Sequence, residues 1–530
     1  MSTYGSTDTS DINKKDDKKS MFPNIQSKDV DYVKNLPQQD GKRPMEISTT
    51  SFLLTAMVGV PVYLSVVLPL TIAYQTGKAV LKSPPATDTS QQSVDTISFP
   101  SKQDLIPLKE RKYDVVLLGC TGFTGKLAAI YLTKSYPDLK WAIAGRSLEK
   151  LTSLKQELQQ INSSIALDTI VMDTLQRDTI HPMVKDTRAV ITTAGPFCKY
   201  GSNVVEFCAR YGTNYVDITG ETSWNKEMIM KFDNIAQDTG AKIVSLCGHD
   251  SIPWDLSYHK LSQMLKEDCQ DSIAAVRFYD EIKGGVSGGT IDTMLTFVEG
   301  KYVEPRFDFD PYLRKADGTK SSNKTKNISS QLPSRMHVAD VDPNTNERKW
   351  ANPFVMASVN AEVVKRTHAM NENVEEGQKL TYNESNVQKS FKEAFVTWFS
   401  VVFGATGLLN PITGTVLKKV LPKPGQGPSP KEMKHGYLLL NGVGEGVKGS
   451  RVESALYFPL DAGYKETARM VCEAGLCLSF DSDKLPVSGG GFYSPATAMG
   501  DALLDRLCRT GSSFASRVVK IQDGKLHSKL

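Results

Sequence analysis

The stretch Tyr113-Asp-Val-Val-Leu-Leu-Gly-Cys-Thr-Gly-Phe-Thr-Gly125 decides the fold of this 530-residue chain. It begins as a short apolar run, turns at three regularly spaced glycines and continues into an amphipathic segment. A second apolar run, Trp141–Gly145, follows. A strand, a glycine-rich turn, a helix and a second strand make up the βαβ unit that binds nucleotides. The pattern therefore predicts a nucleotide-binding domain.

Each of the three glycines has a physical reason in such a unit. Gly119 permits a tight turn off the strand, Gly122 lets the main chain approach a pyrophosphate, and Gly125 lets the helix pack closely against the sheet. Unpaired amides at the start of the helix then face the anion, and the helix dipole favours negative charge there. The spacing is GxxGxxG rather than GxGxxG, and such glycines also occur in ordinary turns. The predicted phosphate-binding residues are Gly119, Thr121, Gly122, Phe123, Thr124 and Gly125.

The residues after the second apolar run, Arg146 and Ser147, indicate which nucleotide binds. NAD sites usually place an acidic residue here to hold the ribose hydroxyls, whereas an arginine accommodates the 2′-phosphate of NADP. Because a guanidinium group suits a phosphate, we predict NADP as the cofactor, with NAD as the alternative. The competing interpretation is a solvated arginine at a helix start, with Ser147 as its N-cap.

Apolar runs and helical patterns alternate as far as residue 249 and predict a Rossmann-like, doubly wound parallel sheet. The predicted strands are 113–119, 141–145, 165–172, 189–194, 214–219 and 242–248. Right-handed crossovers bring the strand ends to one edge, where ligands bind. The residues predicted to meet there are Gly119, Asp173, Gly195 and Gly220. Asp173, Ala194, Gly195 and Pro196 are predicted to line the cofactor, although Gly195-Pro196 equally suits a plain turn.

The regular alternation of apolar runs and helical patterns ends at about residue 268, and the sequence beyond it predicts a second, α+β domain that holds the substrate. Within it, 395–417 is uncharged, but its glycines and proline weaken it as a transmembrane helix. It is interpreted as an interfacial segment, a wall of an apolar substrate channel or a plain core helix with a turn. The predicted divisions are a disordered tail 1–46, a hydrophobic membrane segment 47–77, a linker 78–110, a dinucleotide-binding domain 111–268, the substrate domain 269–487 and a C-terminal segment 488–530 that packs back on the scaffold.

Composition excludes some classes of function. The 63 basic and 59 acidic side chains leave a net charge of +4, which offers no argument for nucleic acid. The eight cysteines show neither a CxxC pair nor spacing with histidine that suits a metal. They are interpreted as reduced thiols in a cytosol-facing protein, and no metal site is predicted.

The uncharged segment 47–77 predicts contact with a membrane. About 20 apolar residues cross a hydrocarbon layer of roughly 30 Å. The segment starts too far from Met1 to resemble a cleaved signal peptide, so it should remain on the mature protein. Pro61 and Pro69 favour a kink or a shallow hairpin, and a buried core helix is the alternative. The main body is expected to face the cytosol, which would leave the sequons at Asn323 and Asn327 without sugar.

Five ordered motifs resemble those of the saccharopine dehydrogenase-like oxidoreductases, a family that includes bacterial trans-acting enoyl reductases. The motifs are 119–125, Ala144-Gly-Arg-Ser147, Thr193-Ala-Gly-Pro-Phe197 with Tyr200-Gly201, Tyr215-Val-Asp-Ile-Thr-Gly-Glu221 and Cys247-Gly-His-Asp-Ser-Ile-Pro253. The likeness runs over about 113–507. It implies a Rossmann domain, a nicotinamide cofactor and, in several members, association with lipid droplets or membranes and with glycolipid synthesis. His249 and Trp254 depart from the usual Phe and Ser, which leaves the substrate open more than the fold.

Reduction of a polarised double bond or an imine needs a proton donor beside the hydride. Tyr200, His249 and Asp250 are the candidate catalytic residues. As alternatives, Asp250 is the N-cap of a helix that starts at Pro253, and His249 is a packed side chain at a strand end. Two further carboxylates flank the end of the fifth strand, Asp217 and Glu221. Neither a nucleophile elbow nor a Ser-His-Asp order is visible, so hydrolysis is not supported.

Together these features predict a membrane-associated, NADP-dependent reductase of an apolar, lipid-like substrate, in glycolipid or other lipid metabolism. Its body is expected to face the cytosol from the endoplasmic reticulum or a lipid droplet. One alternative is an NADP-binding scaffold without turnover, because no acid or base stands out. Another is a saccharopine or amino-acid reductase, which the hydrophobic segment argues against. The oligomeric state is left open.

Overall fold

The computed structural model describes residues 97–284, 310–313, 328–333, 336–342, 347–371, 379–409 and 426–520. The predicted tail 1–46, the hydrophobic segment 47–77 and most of the linker lie outside the described residues. So do the glycine run after Gly284, most of the polar insert around 315–334, residues 410–417 and residues 521–530. The described residues form two sheets with helices packed against them.

The structure describes fifteen strands. In chain order they are β1 Tyr113–Leu118, β2 Trp141–Gly145, β3 Leu167–Val171, β4 Thr187–Thr192, β5 Asn214–Asp217, β6 Lys242–Val244, β7 Ile273–Lys283, β8 Ile328–Ser330, β9 His337–Asp342, β10 Glu347–Asn352, β11 Leu380–Gln388, β12 Tyr437–Gly446, β13 Arg451–Phe458, β14 Gly491–Tyr493 and β15 Ser513–Lys520.

Twelve α-helices connect the described strands. They are α1 Phe123–Ser135, α2 Leu148–Ile161, α3 His181–Lys185, α4 Phe197–Tyr200, α5 Ser202–Tyr211, α6 Thr222–Thr239, α7 Ile252–Cys269, α8 Ala357–Met370, α9 Phe391–Leu409, α10 Pro430–Lys434, α11 Thr467–Phe480 and α12 Pro495–Arg509. A π-helical turn, Ala462–Glu466, leads into α11.

The first sheet has seven strands in the order β14-β6-β5-β4-β1-β2-β3, and every neighbouring pair is parallel. Along β1, Val115 and Leu117 belong to one apolar cluster, and Val116 and Leu118 belong to another. Both faces of β1 are therefore buried, which explains its unbroken apolar run. The strand order changes direction between β1 and β4, and such a switch point forms a crevice at the carboxyl edge. This confirms the predicted doubly wound, Rossmann-like sheet.

The second sheet has the order β15-β13-β12-β7-β11-β10-β9, with β8 beside β11. It is antiparallel except where β11 pairs with β7 and β8. Helix α7 packs against β7, β12 and β13. One apolar cluster includes Leu117 of the first sheet, Leu261 of α7, and Phe278 and Leu440 of the second sheet. A continuous core thus joins the two sheets, and the second sheet domain is confirmed.

Several predicted strand ends are wrong by one to four residues. The prediction 214–219 fails because the Asp217 carboxylate accepts a hydrogen bond from the Thr219 amide at 3.0 Å and turns the chain. The prediction 242–248 fails because Leu246 adopts a φ of 61°, which is incompatible with a strand. The predictions 165–172 and 189–194 are replaced by β3 and β4. Local polar turns, rather than the apolar pattern, set these ends.

The uncharged segment 395–417 begins inside α9. The ring of Phe391, at the start of this helix, lies 5.0 Å from that of Trp350, and the Asn352 side chain donates to the Ala394 carbonyl at 2.9 Å. The first turns of α9 therefore pack on β10. Among the described residues, no helix combines the length and apolarity needed to cross a bilayer.

Candidate cofactor and active site

The glycine-rich turn between β1 and α1 is shaped by close backbone contacts. Gly119 has a φ of +82°, and a Cβ there would lie 2.7 Å from the Ala194 nitrogen. A Cβ on Gly125 would lie 2.2 Å from the Gly119 carbonyl and 2.6 Å from Thr193 Oγ1. Only glycine fits either position without displacing main-chain atoms. The turn therefore holds the β1–α1 connection tightly against the end of β4.

Gly122 is the N-cap of α1 and has no side chain to accept a hydrogen bond from the first helical amides. A Cβ at Gly122 would meet only the Gly119 carbonyl, at 3.3 Å. The amides at this helix start, together with the helix dipole, could hold a diphosphate. The geometry fits the role given to each glycine by its position in the sequence.

Phe123 is the first residue of α1, directly after Gly122, and residues of the second domain contact its ring. Its ring meets that of Tyr464 edge-on, with centroids 5.4 Å apart. Gly427 lies so close that a Cβ there would be 2.5 Å from two ring atoms of Phe123. The second domain thus touches the cofactor turn directly.

Arg146 and Ser147 have different roles at the end of β2. Ser147 Oγ accepts a hydrogen bond from the Lys150 amide at 3.3 Å and caps α2. Arg146 forms no salt bridge with a carboxylate of the described chain, and its guanidinium carbon lies 5.9 Å from the ring centre of Tyr200. A guanidinium without a carboxylate partner at this edge fits a 2′-phosphate. The N-cap role of Ser147 is therefore confirmed, while the phosphate-binding role of Arg146 stays a prediction.

Tyr200 is the last residue of α4, and its ring lies beside the Arg146 guanidinium. Among the described residues, no contact joins Tyr200 to His249. This position suits a side chain that backs the phosphate-binding arginine. Asp173 lies just beyond β3, and its carboxylate accepts from the Leu175 amide at 3.0 Å. The carboxylate therefore shapes a turn at the predicted edge of the cofactor cleft.

Hydrogen bonds to the segments that follow β1 and β5 fix the segment after β4. Thr193 Oγ1 donates to the Leu118 and Gly119 carbonyls at 3.3 and 3.2 Å. The Gly195–Pro196 peptide is cis. The buried Glu221 carboxylate accepts from the amides of Phe197 and Cys198 at 2.7 and 2.8 Å. Glu221 thus caps α4 and positions the residues predicted to line the nicotinamide ribose.

Asp217 organises the loops after β5 and β6. The side chain is fully buried and accepts from the amides of Thr219 and Leu246 at 3.0 and 3.1 Å. The hydroxyls of Tyr215 and Ser245 donate to its second oxygen at 2.9 and 3.0 Å. Burial raises the pKa of Asp217 to about 6, and these donors limit the rise. Since four donors engage it, Asp217 is a structural anchor of the cleft.

His249 and Asp250 lie together at the domain junction, as the sequence placed them. His249 Nδ1 is 3.1 Å from Asp250 Oδ1. The His249 residue is only 5% exposed, and its Nε2 has no hydrogen-bond partner among the described residues. The Asp250 side chain is 42% exposed. One imidazole nitrogen is therefore oriented by a carboxylate, while the other is buried with no hydrogen-bond partner among the described residues.

The alternative that Asp250 is a helix N-cap is wrong, because the structure assigns that position to Ser251, with α7 beginning at Ile252. The backbone amide of His249 donates to Thr467 Oγ1 at 3.0 Å. Thr467 starts α11, about two hundred residues further along the chain. No local sequence signal pointed to this contact, since it depends on how α11 packs on the first sheet.

Aromatic side chains surround the imidazole. The ring of Trp254 lies 5.2 Å from that of His249 in an edge-on arrangement, and Phe354 stacks on Trp254 at 5.7 Å. Met356 lies two residues further on, and its Cε atom is 3.3 Å from the position that a Cβ on Gly220 would occupy. Sequence reasoning missed Phe354 and Met356, for which the available signal was the apolar run after Pro353. They make the second domain an apolar wall opposite the sheet edge.

Comparison with known proteins agrees with this geometry. A family model described as the saccharopine dehydrogenase NADP binding domain matches residues 115–244. The chain is 34% identical over 420 residues to a trans-acting enoyl reductase of Mycobacterium tuberculosis, with 76% of this chain and 97% of that protein covered. It is also 34% identical over 417 residues to a trans-acting enoyl reductase of Mycobacterium leprae, with the same coverage.

Two solved structures are more distantly similar. Saccharopine dehydrogenase of Saccharomyces cerevisiae is 11% identical with a TM-score of 0.43, covering 77% of this chain and 100% of that one. Homospermidine synthase of Legionella pneumophila, in complex with NAD, is 9% identical with a TM-score of 0.45, covering 80% and 96%. The family of this chain is therefore assigned from the sequence relatives and not from these two structures.

Proposed function

Because this chain belongs to the saccharopine dehydrogenase-like oxidoreductases that include the trans-acting enoyl reductases, we propose that it reduces a carbon–carbon double bond of an apolar, lipid-like substrate. Membership of the family makes it an oxidoreductase with NADP as its cofactor. Enoyl reduction is the activity in the names of the relatives. We extend that reaction to this chain on the chemistry of its own site.

The observation that carries the proposal is the surroundings of His249. Its Nε2 is buried and has no hydrogen-bond partner among the described residues, and the rings of Trp254 and Phe354 pack against the imidazole. Reduction of a double bond conjugated to a carbonyl consumes one hydride and one proton. We assign His249, at the junction of the two sheets, as the proton donor. Its aromatic surroundings favour an acyl chain over a charged amino acid.

The residues divide the work between binding and proton transfer. The amides of the turn 119–125 hold the diphosphate, and Arg146 holds the 2′-phosphate. When bound, NADPH supplies a hydride to the double bond. His249 holds a proton for the neighbouring carbon, and Asp250 keeps the Nδ1 side of the ring oriented. Trp254 and Phe354 exclude water from this reaction.

Membrane association belongs to the same proposal. The uncharged segment 47–77 and the uncharged residues of α9 from Phe395 onward support it. The proposed location is the endoplasmic reticulum or a lipid droplet, with the body facing the cytosol and a role in lipid or glycolipid metabolism. Full-length protein should float with phospholipid vesicles in a density gradient, and recovery only in the bottom fraction would contradict this assignment.

The catalytic proposal is tested with purified full-length protein in detergent. NADPH fluorescence should show saturable binding that is tighter than NADH binding. Addition of a long-chain 2-enoyl thioester should then oxidise NADPH and yield the saturated thioester by mass spectrometry. Binding without oxidation of any enoyl substrate would instead support the scaffold, and oxidation with a soluble imino acid alone would support an amino-acid reductase.

His249→Gln is the matched variant for this assay. We expect kcat to fall roughly 100-fold or more, because a positioned acid contributes about 10²–10⁴-fold to such reactions. NADPH affinity should stay unchanged, since the imidazole contacts α7, Phe354 and Asp250 rather than the glycine-rich turn. The control is His435→Gln, which alters an exposed histidine bonded to the Lys431 carbonyl. Equal losses in both variants would contradict the assignment.

A further inference from the structure

Thr467 of α11 holds the loop that carries His249. The buried Thr467 hydroxyl accepts a hydrogen bond from the His249 backbone amide at 3.0 Å. Among the described residues, this is the only hydrogen bond that joins Gly248, His249 or Asp250 to a segment distant in sequence. The position of the His249 backbone therefore depends on one side chain from the far end of the chain.

The direction of the Thr467 hydroxyl is fixed by the turn that precedes it. Its hydrogen goes to the carbonyl of Ala462, five residues back, at 2.9 Å. A hydroxyl group has a single hydrogen to donate, so the Thr467 oxygen is left to accept. The turn Ala462–Glu466 is π-helical, and such turns are frequent at functional sites. It presents the Thr467 hydroxyl as an acceptor toward His249.

The Thr467 methyl group contacts the same loop from a second direction. A Cβ on Gly248 would lie 3.1 Å from Thr467 Cγ2 and 3.6 Å from two atoms of Ile218. The Gly248 carbonyl accepts from the Ile252 amide at 3.1 Å. Both polar groups of the peptide between Gly248 and His249 are thus hydrogen-bonded, and neighbouring side chains leave that peptide little room to move.

The side-chain contacts of His249 do not replace this anchor. Asp250, whose carboxylate lies 3.1 Å from Nδ1, is the next residue and moves with the same loop. The rings of Trp254 and Phe354 pack on the imidazole with centroids 5.2 and 6.4 Å away. Apolar packing of this kind is non-directional. These contacts orient the imidazole, whereas Thr467 sets where its backbone lies.

The turn before Thr467 also contacts the predicted nucleotide-binding site. The ring of Tyr464, in the middle of this turn, meets the ring of Phe123 with centroids 5.4 Å apart. Phe123 is the first residue of α1. The Asp461 carboxylate fixes the turn by accepting from the Tyr464 amide at 2.8 Å. One short segment therefore contacts both the glycine-rich turn and the loop of His249.

Resting on the proposed enoyl reduction, we propose that Thr467 is a positioning residue for the proton-transfer step. Its hydroxyl and methyl groups hold the His249 backbone, and the turn that carries them packs on the glycine-rich turn. The imidazole Nε2 is thereby kept at a fixed place relative to the predicted cofactor site. Hydride and proton must reach two carbons of one double bond, and a misplacement of about 1 Å costs roughly 100-fold in rate.

Thr467→Val and Thr467→Ser separate the two groups of this side chain. Valine has nearly the same shape but leaves the His249 amide without its acceptor, whereas serine keeps the acceptor. With full-length protein and a long-chain 2-enoyl thioester, single-turnover oxidation of NADPH should slow roughly 10- to 100-fold in Thr467→Val. The rate in Thr467→Ser should stay near that of the wild type. The NADPH dissociation constant should be unchanged in both variants.

Thr133→Val is the matched control. Thr133 is also a buried threonine on a helix, and its hydroxyl donates to the Ala129 carbonyl at 2.8 Å. Its replacement removes a hydroxyl of the same kind without touching the loop of His249. The single-turnover rate of Thr133→Val should therefore equal that of the wild type.

Isotope effects separate a misplaced proton donor from a general loss of structure. In Thr467→Val the solvent deuterium isotope effect on the single-turnover rate should increase, because proton transfer becomes slower. The effect of deuterium at the transferred position of NADPH should not increase. A smaller fraction of active protein would lower the amplitude of the turnover and leave both isotope effects unchanged.

Gly248→Ala tests the same junction without changing Thr467, and it decides the question if Thr467→Val does not fold. The added Cβ would lie 3.1 Å from Thr467 Cγ2, so the loop must shift. We expect a several-fold slower single turnover. In a Thr467→Ser background, which lacks that methyl group, the loss should be smaller. Equal losses in both backgrounds of this double-mutant cycle would overturn the positioning role.

The outcomes distinguish this inference from the function on which it rests. A wild-type rate in Thr467→Val, or a slower rate with both isotope effects unchanged, would overturn the positioning role and leave enoyl reduction standing. A wild type that binds NADPH but reduces no enoyl thioester would overturn the proposed function, and the positioning role with it.

Discussion

Arg146 illustrates how one side chain selects a cofactor. It follows β2 at the carboxyl edge, lies 5.9 Å from the Tyr200 ring and has no carboxylate partner in the described chain. A guanidinium group that is not already paired can form two parallel hydrogen bonds to a phosphate. We therefore predict that the preference for NADP over NAD depends on Arg146.

Arg146→Ala should weaken NADPH binding about 10- to 100-fold, because hydrogen bonds to charged groups are worth about 1.5–3 kcal/mol. NADH lacks the 2′-phosphate, so its affinity should hardly change. Fluorescence titration with both nucleotides measures the difference. Lys150→Ala, on an exposed position of α2, is the control. An equal loss for NADH and NADPH would show that Arg146 supports the fold rather than the phosphate.

Asp255 is a residue at which burial controls stability. It is fully buried on α7, accepts from Thr367 Oγ1 of α8 and accepts from the Ala496 amide of α12 at 2.7 Å. Burial raises its pKa to about 7, from an ordinary value of 3.8. As the pH rises from about 4 to about 7, Asp255 ionises first in the unfolded chain. Its ionisation therefore lowers the free energy of unfolding in that window, by at most about 4 kcal/mol.

Asp255→Asn should remove this pH dependence. Relative to the wild type, the free energy of unfolding of the variant should increase as the pH rises from 4 to 7. The hydrogen bond from the Ala496 amide should be weaker in the variant, and this cost is the same at every pH. Urea unfolding at a series of pH values gives the difference. A constant difference across the window would mean that folded Asp255 ionises normally.

Some residue roles could be inferred from the sequence and others could not. The glycine positions and Ser147 follow from local backbone geometry, so their roles were predictable. Glu221 caps α4 from the far side of β5, and Thr467 reaches the His249 amide from another domain. Such contacts depend on packing between elements distant in sequence, for which a single sequence carries no periodic signal.

At the scale of elements, α11 shows how closely a helix packs on the parallel sheet. Gly475 of α11 faces β4, and a Cβ there would lie 2.5 Å from Ile191 Cγ1 and 2.7 Å from Cδ1. The glycine lets the helix axis come nearer to the sheet than any larger residue would allow. The helix lies in the chain between β13 and β15 of the second sheet, so it ties that sheet to the nucleotide-binding domain.

Gly475→Ala should lower the free energy of unfolding. Alanine gains about 1 kcal/mol over glycine in helix propensity, but overpacking a core costs roughly 1–3 kcal/mol, and here the added methyl meets a rigid strand. We expect a net loss of about 1 kcal/mol, measured by urea unfolding. In an Ile191→Ala background the same change should be neutral or stabilising, because the space is then available. Additive effects in this double-mutant cycle would contradict the steric explanation.

The sequence predicted the type of element better than its ends or partners. The alternation of apolar runs identified β1 to β6, since parallel strands buried on both faces are uniformly apolar. The edge strand β14 was missed because it has three residues after a glycine run and pairs with β6 from far along the chain. Because β14 does not follow β6 through a single crossover helix, the sequence carries no βαβ pattern that predicts this strand.

At the scale of the whole molecule, the cleft has walls from both domains. The glycine-rich turn, Arg146 and Gly195 come from the first sheet, while Trp254, Phe354 and Met356 come from α7 and the segment before α8. The fold class and the nucleotide edge could be predicted from the sequence. The aromatic surroundings of His249 could not, because they arise only when the second sheet docks against the first through a common core.

Contact between Gly427 and Phe123 is a direct mechanical connection between the two domains. Gly427 belongs to the second domain, and Phe123 begins α1 at the phosphate-binding turn. The Tyr464 ring packs edge-on against the same ring. A shift of the loop at Gly427 must therefore move Phe123, and with it the amides that hold the diphosphate.

Gly427→Ala should weaken NADPH binding while leaving the fold intact. The added Cβ would lie 2.5 Å from the Phe123 ring, which is too close for an unstrained contact, so the ring or the loop must shift. If about 1 kcal/mol of the overpacking strain reaches the turn, the dissociation constant rises about fivefold. Gly489→Ala is the control, because a Cβ there meets only the Tyr493 hydroxyl at 3.9 Å. In a Phe123→Ala background Gly427→Ala should have no further effect on NADPH binding, and a fivefold loss that persists there would show that the loop acts on the cofactor by another route.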